Sequence, residues 1–143
     1  MAKVSKLVLG KRPEHFTRVV SFPMLDGSTG TVEVKFAYRS RKEFAELIDE
    51  NQAAIKAKAD AEVTRMKQVA GEGGPVADFT QTDLVAHQAD FNAAYLMQIV
   101  KGWNLDVPFN RESVDELVDT LPAAVNAINA AYREALLEGR LGN

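Results

Sequence analysis

The sequence contains no cysteine and only two histidines. It also has no apolar run near the roughly 18 residues that a membrane-spanning helix requires. Without thiols there can be neither disulfides nor thiolate zinc sites, and a reducing compartment is the natural expectation. The opening MAKVSKLVLGKRPEH carries one short apolar patch broken by charges, and no small-residue cleavage site follows it. It does not read as a secretory signal, so a cytoplasmic location is expected. Surplus positive charge is missing too. A net charge of −3 argues against a nucleic-acid binder that relies on a strong overall field. No nucleophile signature such as G-x-S-x-G occurs. The glycine-rich Gly71-Glu72-Gly73-Gly74-Pro75 lacks the lysine and the spacing of a phosphate-binding loop. Nothing here predicts an enzyme or a cofactor.

What is present is ordinary for a globular chain. With 143 residues, 46% apolar and 26% charged, one domain can bury a core of its own. Lys3 to Leu9 is a short β-prone segment closed by Gly10 and Pro13. From His15 to Phe22, the set Phe16, Arg18, Val20, Phe22 alternates with Thr17, Val19, Ser21. After the turn-forming Leu25-Asp26-Gly27-Ser28-Thr29-Gly30, Val32, Val34, Phe36 and Tyr38 share one face, with Glu33 and Lys35 on the other. These runs predict an antiparallel hairpin with one buried face. Its loop exceeds two residues, which leaves the register open. The sheet gains a third strand if the Lys3 segment pairs.

Helices follow. Ser40 with Glu43 forms a capping-box pattern, and Phe44, Leu47 and Ile48 would cover the hairpin. The helix continues to about residue 70. From Gln52 to Val69 it combines high helix propensity with few large apolar residues. Only Ile55, Val63, Met66 and Val69 form a stripe, and so thin a stripe suits an exposed helix awaiting a partner. Residues 71–82 read as a flexible linker. Thr80 or Thr82 can cap a further helix to about Lys101, with Leu84, Phe91, Tyr95, Leu96, Ile99 and Trp103 near helical spacing as its core face. Asn104 to Pro108 is expected to be extended. Asn110 caps a short helix carrying Val114, Leu117, Val118 and Leu121. Pro122 opens the last one, lined by Val125, Ile128, Tyr132, Leu136 and Leu137 and ended by Gly139. The fold class is α+β: a hairpin or small antiparallel sheet followed by four or five helices in a single domain.

Clusters with chemical potential have plainer explanations. Asp83, His87 and Asp90 share a helix, but one histidine and two carboxylates read as a charged surface rather than a metal site. Asp115 and Glu116 complement a helix N-terminus, and Asp119 joins them on a solvated face. Lys3, Lys6, Lys11, Arg12 and Arg18 gather near the N-terminus, interleaved with strand residues as in a half-buried sheet. Trp103 and Phe109 read as core anchors. No metal, nucleic acid or membrane is therefore expected as a partner.

The whole arrangement resembles the tail assembly chaperones of long-tailed bacteriophages and prophages. The residues that carry the likeness are the hairpin VVSFPMLDGSTGTVEVKFAYRSRKEF, then Gly102-Trp103 and Val107-Pro108-Phe109-Asn110. Glu116-Leu117, Pro122, Ile128, Ala131-Tyr132, Arg140 and Asn143 complete it. The resemblance implies a non-enzymatic factor of the host cytoplasm, absent from the finished virion. It would bind the tape measure protein and recruit tail tube subunits. It also implies a longer product made by −1 ribosomal frameshifting, and Leu141-Gly142-Asn143 can be encoded CTG GGA AAC, which contains a slippery heptamer. Ile55, Val63, Met66 and Val69 are the expected partner-binding residues, more exposed than other large apolar side chains and available to a client or to a second copy in a homo-oligomer. The rival readings are a structural tail or neck component retained in the particle, and a generic protein-binding domain.

Overall fold

The alternation of apolar and polar residues produces the predicted hairpin. The structure, a computed structural model, describes residues 9–73 and 80–139. Strand β1 (His15–Pro23) pairs antiparallel with β2 (Thr29–Ala37), and the register sets Phe16 opposite Phe36 and Val20 opposite Val32. Phe16, Val20, Phe22, Val32, Val34 and Phe36 are buried on one face, while Val19, Glu33 and Lys35 stay exposed on the other. The register is fixed at the loop. Asp26 Oδ1 accepts from the Ser28 N–H at 2.9 Å, and Gly27 adopts a left-handed φ of 86°, which favours glycine.

The capping box on helix α1 (Arg41–Gly71) forms as expected. The Ser40 hydroxyl accepts from the Glu43 N–H at 3.2 Å, and the Glu43 carboxylate accepts from the Ser40 N–H at 2.9 Å. Helix α2 (Gln81–Ile99) has its own box between Thr80 and Asp83. It ends earlier than predicted. At Val100 the backbone turns extended, and strand β3 (Val100–Trp103) follows with no intervening loop. β3 pairs antiparallel with β2, Val34 opposite Trp103, with a register shift between Lys35 and Phe36. Among the described residues the sheet is three-stranded, in the order β1-β2-β3. Its third strand is thus Val100–Trp103. Of the Lys3–Leu9 segment, residues 3–8 lie outside the described residues. Asn104 extends the pairing through its backbone and its side-chain amide, both bonded to Glu33, and the chain to Pro108 then bends rather than running extended.

Helix α3 (Arg111–Thr120) starts at Asn110, whose Oδ1 accepts from the Ser113 N–H at 2.9 Å. Asn110→Ala should cost about 1 kcal/mol, read as a lower denaturation midpoint with an unchanged slope. Helix α4 (Pro122–Glu138) begins at Pro122 and ends at Gly139, which takes φ 69°. Helix α4, rather than α1, lies across the buried face of the sheet. The reason is Tyr132. Its ring sits 5.2 Å from Phe36, 6.1 Å from Phe16 and 5.8 Å from Phe44 of α1. Its hydroxyl donates to the Ala37 carbonyl at 2.8 Å and accepts from Arg39 Nη1 at 3.0 Å. Val125, Ile128 and Leu136 are buried beside it, but Leu137 remains exposed. Trp103 and Phe109 meet edge to face at 5.0 Å and pack against the same core, and the Trp103 indole N–H donates to the Val107 carbonyl.

The start of α1 is clamped from outside. Arg12 reaches Glu43 at 2.6 Å and lies 5.3 Å over the Tyr38 ring. The hydrogen bond from Arg12, with that from the Ser40 N–H, pulls the Glu43 carboxyl from 4.5 down to about 2. Since the folded value is the lower one, this contact stabilises the fold fully above about pH 4.5 and is lost as pH falls towards 2. Glu43→Gln should therefore flatten the acid limb of the stability curve in that window and leave the neutral-to-alkaline limb parallel to the parent. Both groups face solvent, so added salt should shrink the difference.

Candidate docking groove

Beyond Leu47, helix α1 contributes no buried residue. Its remaining length is alanine-rich and projects past the core. Ile55 is 45% exposed and Val63 49%, Met66 and Val69 are half-buried, and none of the four belongs to the core cluster. Other large apolar side chains exceed them, notably Leu25 at 84% and Val19 at 64%, so exposure alone does not single the stripe out. Position does. Ile55, Val63 and Met66 face Leu84, His87 and Phe91 of α2 across an open groove of about 720 Å³. Val69 lies outside its lining. Ile55 and Phe91 also border a second hollow of about 620 Å³, so the groove continues towards α4. There Phe44, Ile48 and Tyr95 meet a rim of amides: Asn51, Gln52, Asn92 and Asn129.

Two polar ties hold the walls together. Asn51 Nδ2 donates to Gln98 Oε1 at 2.9 Å, and Lys58 Nζ lies 3.6 Å from Asp90 and 5.3 Å over the Phe91 ring. Asp90 also takes a 2.6 Å contact from Arg111, and that hydrogen bond holds its carboxyl below the usual range. Asp83 accepts from the Thr80 N–H as the cap of α2. No group of three or more His, Cys, Asp or Glu able to hold a metal occurs among the described residues. Burial pushes the Tyr95 hydroxyl up to about 12, so it stays neutral. Asn129 Oδ1 is buried without a hydrogen-bond partner among the described residues. An apolar floor with a mixed polar rim is suited to receiving side chains of another helix.

A family model described as phage tail assembly chaperone matches residues 1–143, the whole sequence. The chain belongs to the phage tail assembly chaperones. No curated protein and no solved structure matches it.

The α2 wall of the chaperone's groove escaped the sequence pattern. Leu84 and Phe91 were expected in the core because they share helical spacing with Tyr95 and Ile99. Instead Leu84 is exposed and Phe91 half-buried, and the buried residues of α2 are Ala93, Leu96 and Ile99. A signal was available: His87 and Gln88 interrupt the same stripe, which a sealed core face would not tolerate without partners. Among the described residues no helix of the chaperone is long and apolar enough to cross a membrane.

Proposed function

We propose that this chaperone binds the tape measure protein of its phage, keeps that long helical protein soluble, and recruits tail tube subunits to it. The groove between α1 and α2 is the seat for a client helix. The supporting observation is the stripe of Ile55, Val63 and Met66, set opposite Leu84 and Phe91 and left uncovered by the chain's own core. Val69, three residues past Met66, prolongs the stripe along α1. An amphipathic helix presenting apolar side chains every three or four residues would fill such a seat. The work is binding rather than catalysis, is done without a cofactor in the host bacterial cytoplasm, and leaves no chaperone in the mature virion. A −1 frameshift at codons 141–143 would add a longer form, and the nucleotide sequence there, with an open −1 frame beyond it, decides that point.

Co-expression tests the central reading. The tape measure protein should stay in the soluble fraction and co-purify when the chaperone is present, and should precipitate without it. Equal solubility in both cases would refute the proposal. Mass spectrometry of purified virions separates it from a retained tail or neck component, which would appear in many copies.

A further inference from the structure

We infer that, before a client arrives, a second copy of this chain covers the groove, with the two α1 helices antiparallel about a two-fold axis level with Ala59.

The Ile55-Ala59-Val63 part of the stripe has that symmetry, and Met66 comes level with the partner's Gln52. Ile55, Ala59 and Val63 are spaced four apart on one helical face, with Met66 close beside them. A two-fold through Ala59 brings Ile55 opposite the partner's Val63 and Val63 opposite the partner's Ile55. At the axis itself Ala59 offers only a methyl group, so the two backbones can approach closely. The walls supplied by Leu84 and Phe91 then close over the partner's helix in both copies, since both line the same groove as Ile55 and Val63.

Charge decides the direction. At 3.6 residues per turn, Lys56 and Asp60 fall on one flank of the stripe, and Lys58 and Glu62 on the other. An antiparallel pair places Lys56 beside the partner's Asp60, and Lys58 beside the partner's Glu62. The two-fold makes each of these opposite-sign contacts twice, four in all, against one like-sign approach on each flank, Asp60 to the partner's Asp60 and Lys58 to the partner's Lys58. A parallel pair reverses that balance: Lys56 beside the partner's Lys58 and Asp60 beside the partner's Glu62 make four like-sign contacts, against two opposite-sign ones between Asp60 and the partner's Lys58. Lys56 and Asp60 are exposed, and among the described residues neither makes an ion pair within the chain. These are the two charges that a second copy would satisfy anew.

Light scattering and sedimentation of the full chain, without client, test the pairing. A dimer is expected at micromolar concentration, and Val63→Glu should give single copies. Lys56→Glu and Asp60→Lys should each raise the dissociation constant about tenfold, roughly what a lost charge contact replaced by repulsion delivers. The double variant, in which the signs are exchanged, should regain most of the parent affinity. Far-UV circular dichroism should stay unchanged throughout, because all three positions are exposed. Single copies at every concentration, a dimer indifferent to Val63→Glu, or a double variant no tighter than the single ones would each overturn the inference. Competition between the second copy and a client rests on the proposed function, but the dimer does not. A chain that stays single yet captures the tape measure protein overturns only the dimer, and a dimer that captures nothing overturns only the client reading.

Discussion

Tyr132→Ala should remove about 3–5 kcal/mol of stability, enough to leave a domain of ordinary stability largely unfolded on warming. The side chain is fully buried and, among the described residues, is the one ring in contact with rings of β1, β2 and α1 at once. Deleting it opens a cavity where α4 meets the sheet and separates the layers at their centre. Tyr132→Phe keeps the ring contacts and removes only the hydroxyl that bonds Ala37 and Arg39. It should cost less, about 1–3 kcal/mol, because a carbonyl and a guanidinium lose a partner in a half-dry setting. Denaturant titration followed by circular dichroism measures both. Equal losses would mean that the hydrogen bonds, and not the packing of four aromatic rings, hold α4 in place.

The opposite pattern is expected in the groove. Measured on single copies, below the concentration at which the chain pairs, Ile55→Glu combined with Val63→Glu should leave stability within about 0.5 kcal/mol of the parent, since exposed sites away from core contacts rarely matter more and glutamate is a good helix former. Capture of the tape measure protein should fall about thirtyfold or more, the effect of losing a central apolar anchor worth about 2 kcal/mol. Thermal melts beside co-precipitation distinguish the two quantities. A variant whose single copies melt many degrees lower than the parent's would show that these side chains belong to the core, and one that captures its client normally would move the seat elsewhere.

Most of the fold was legible because local signals agreed with tertiary ones. The Phe16-to-Phe22 and Val32-to-Phe36 alternations gave the hairpin, Ser40 and Asn110 marked capped helix starts, and Pro122 and Gly139 marked the two ends of α4. The failures were of another kind. Strand β3 spans four residues, too few to display a period of two, and it leaves α2 without a glycine or proline to mark the change. Only pairing with β2 defines it. The choice of α4 over α1 as the cover of the sheet is likewise set by long-range packing around Tyr132, since both helices carry apolar faces that would serve. Of the groove, the α1 wall was readable from its sparse stripe. The α2 wall was not, because spacing cannot distinguish an apolar residue facing a core from one facing an unfilled hollow.

The direct passage from Ile99 into Val100 leaves no slack between α2 and the sheet. One jaw of the groove is therefore anchored at its far end by backbone pairing to β2, while farther along it is held by side chains, Asp90 by Lys58 and Arg111, and its first turn carries the Thr80 cap. A swing of α2 about Ile99 is the widening that this anchorage would leave open, once the Asp90 ties to Lys58 and Arg111 give way. Displacement grows with distance from that pivot, so Leu84 travels farther than Phe91, and the hollow beside Tyr95 scarcely changes width. A client seated as proposed would then find room for a thick side chain at the distal mouth and for a slender one near the sheet.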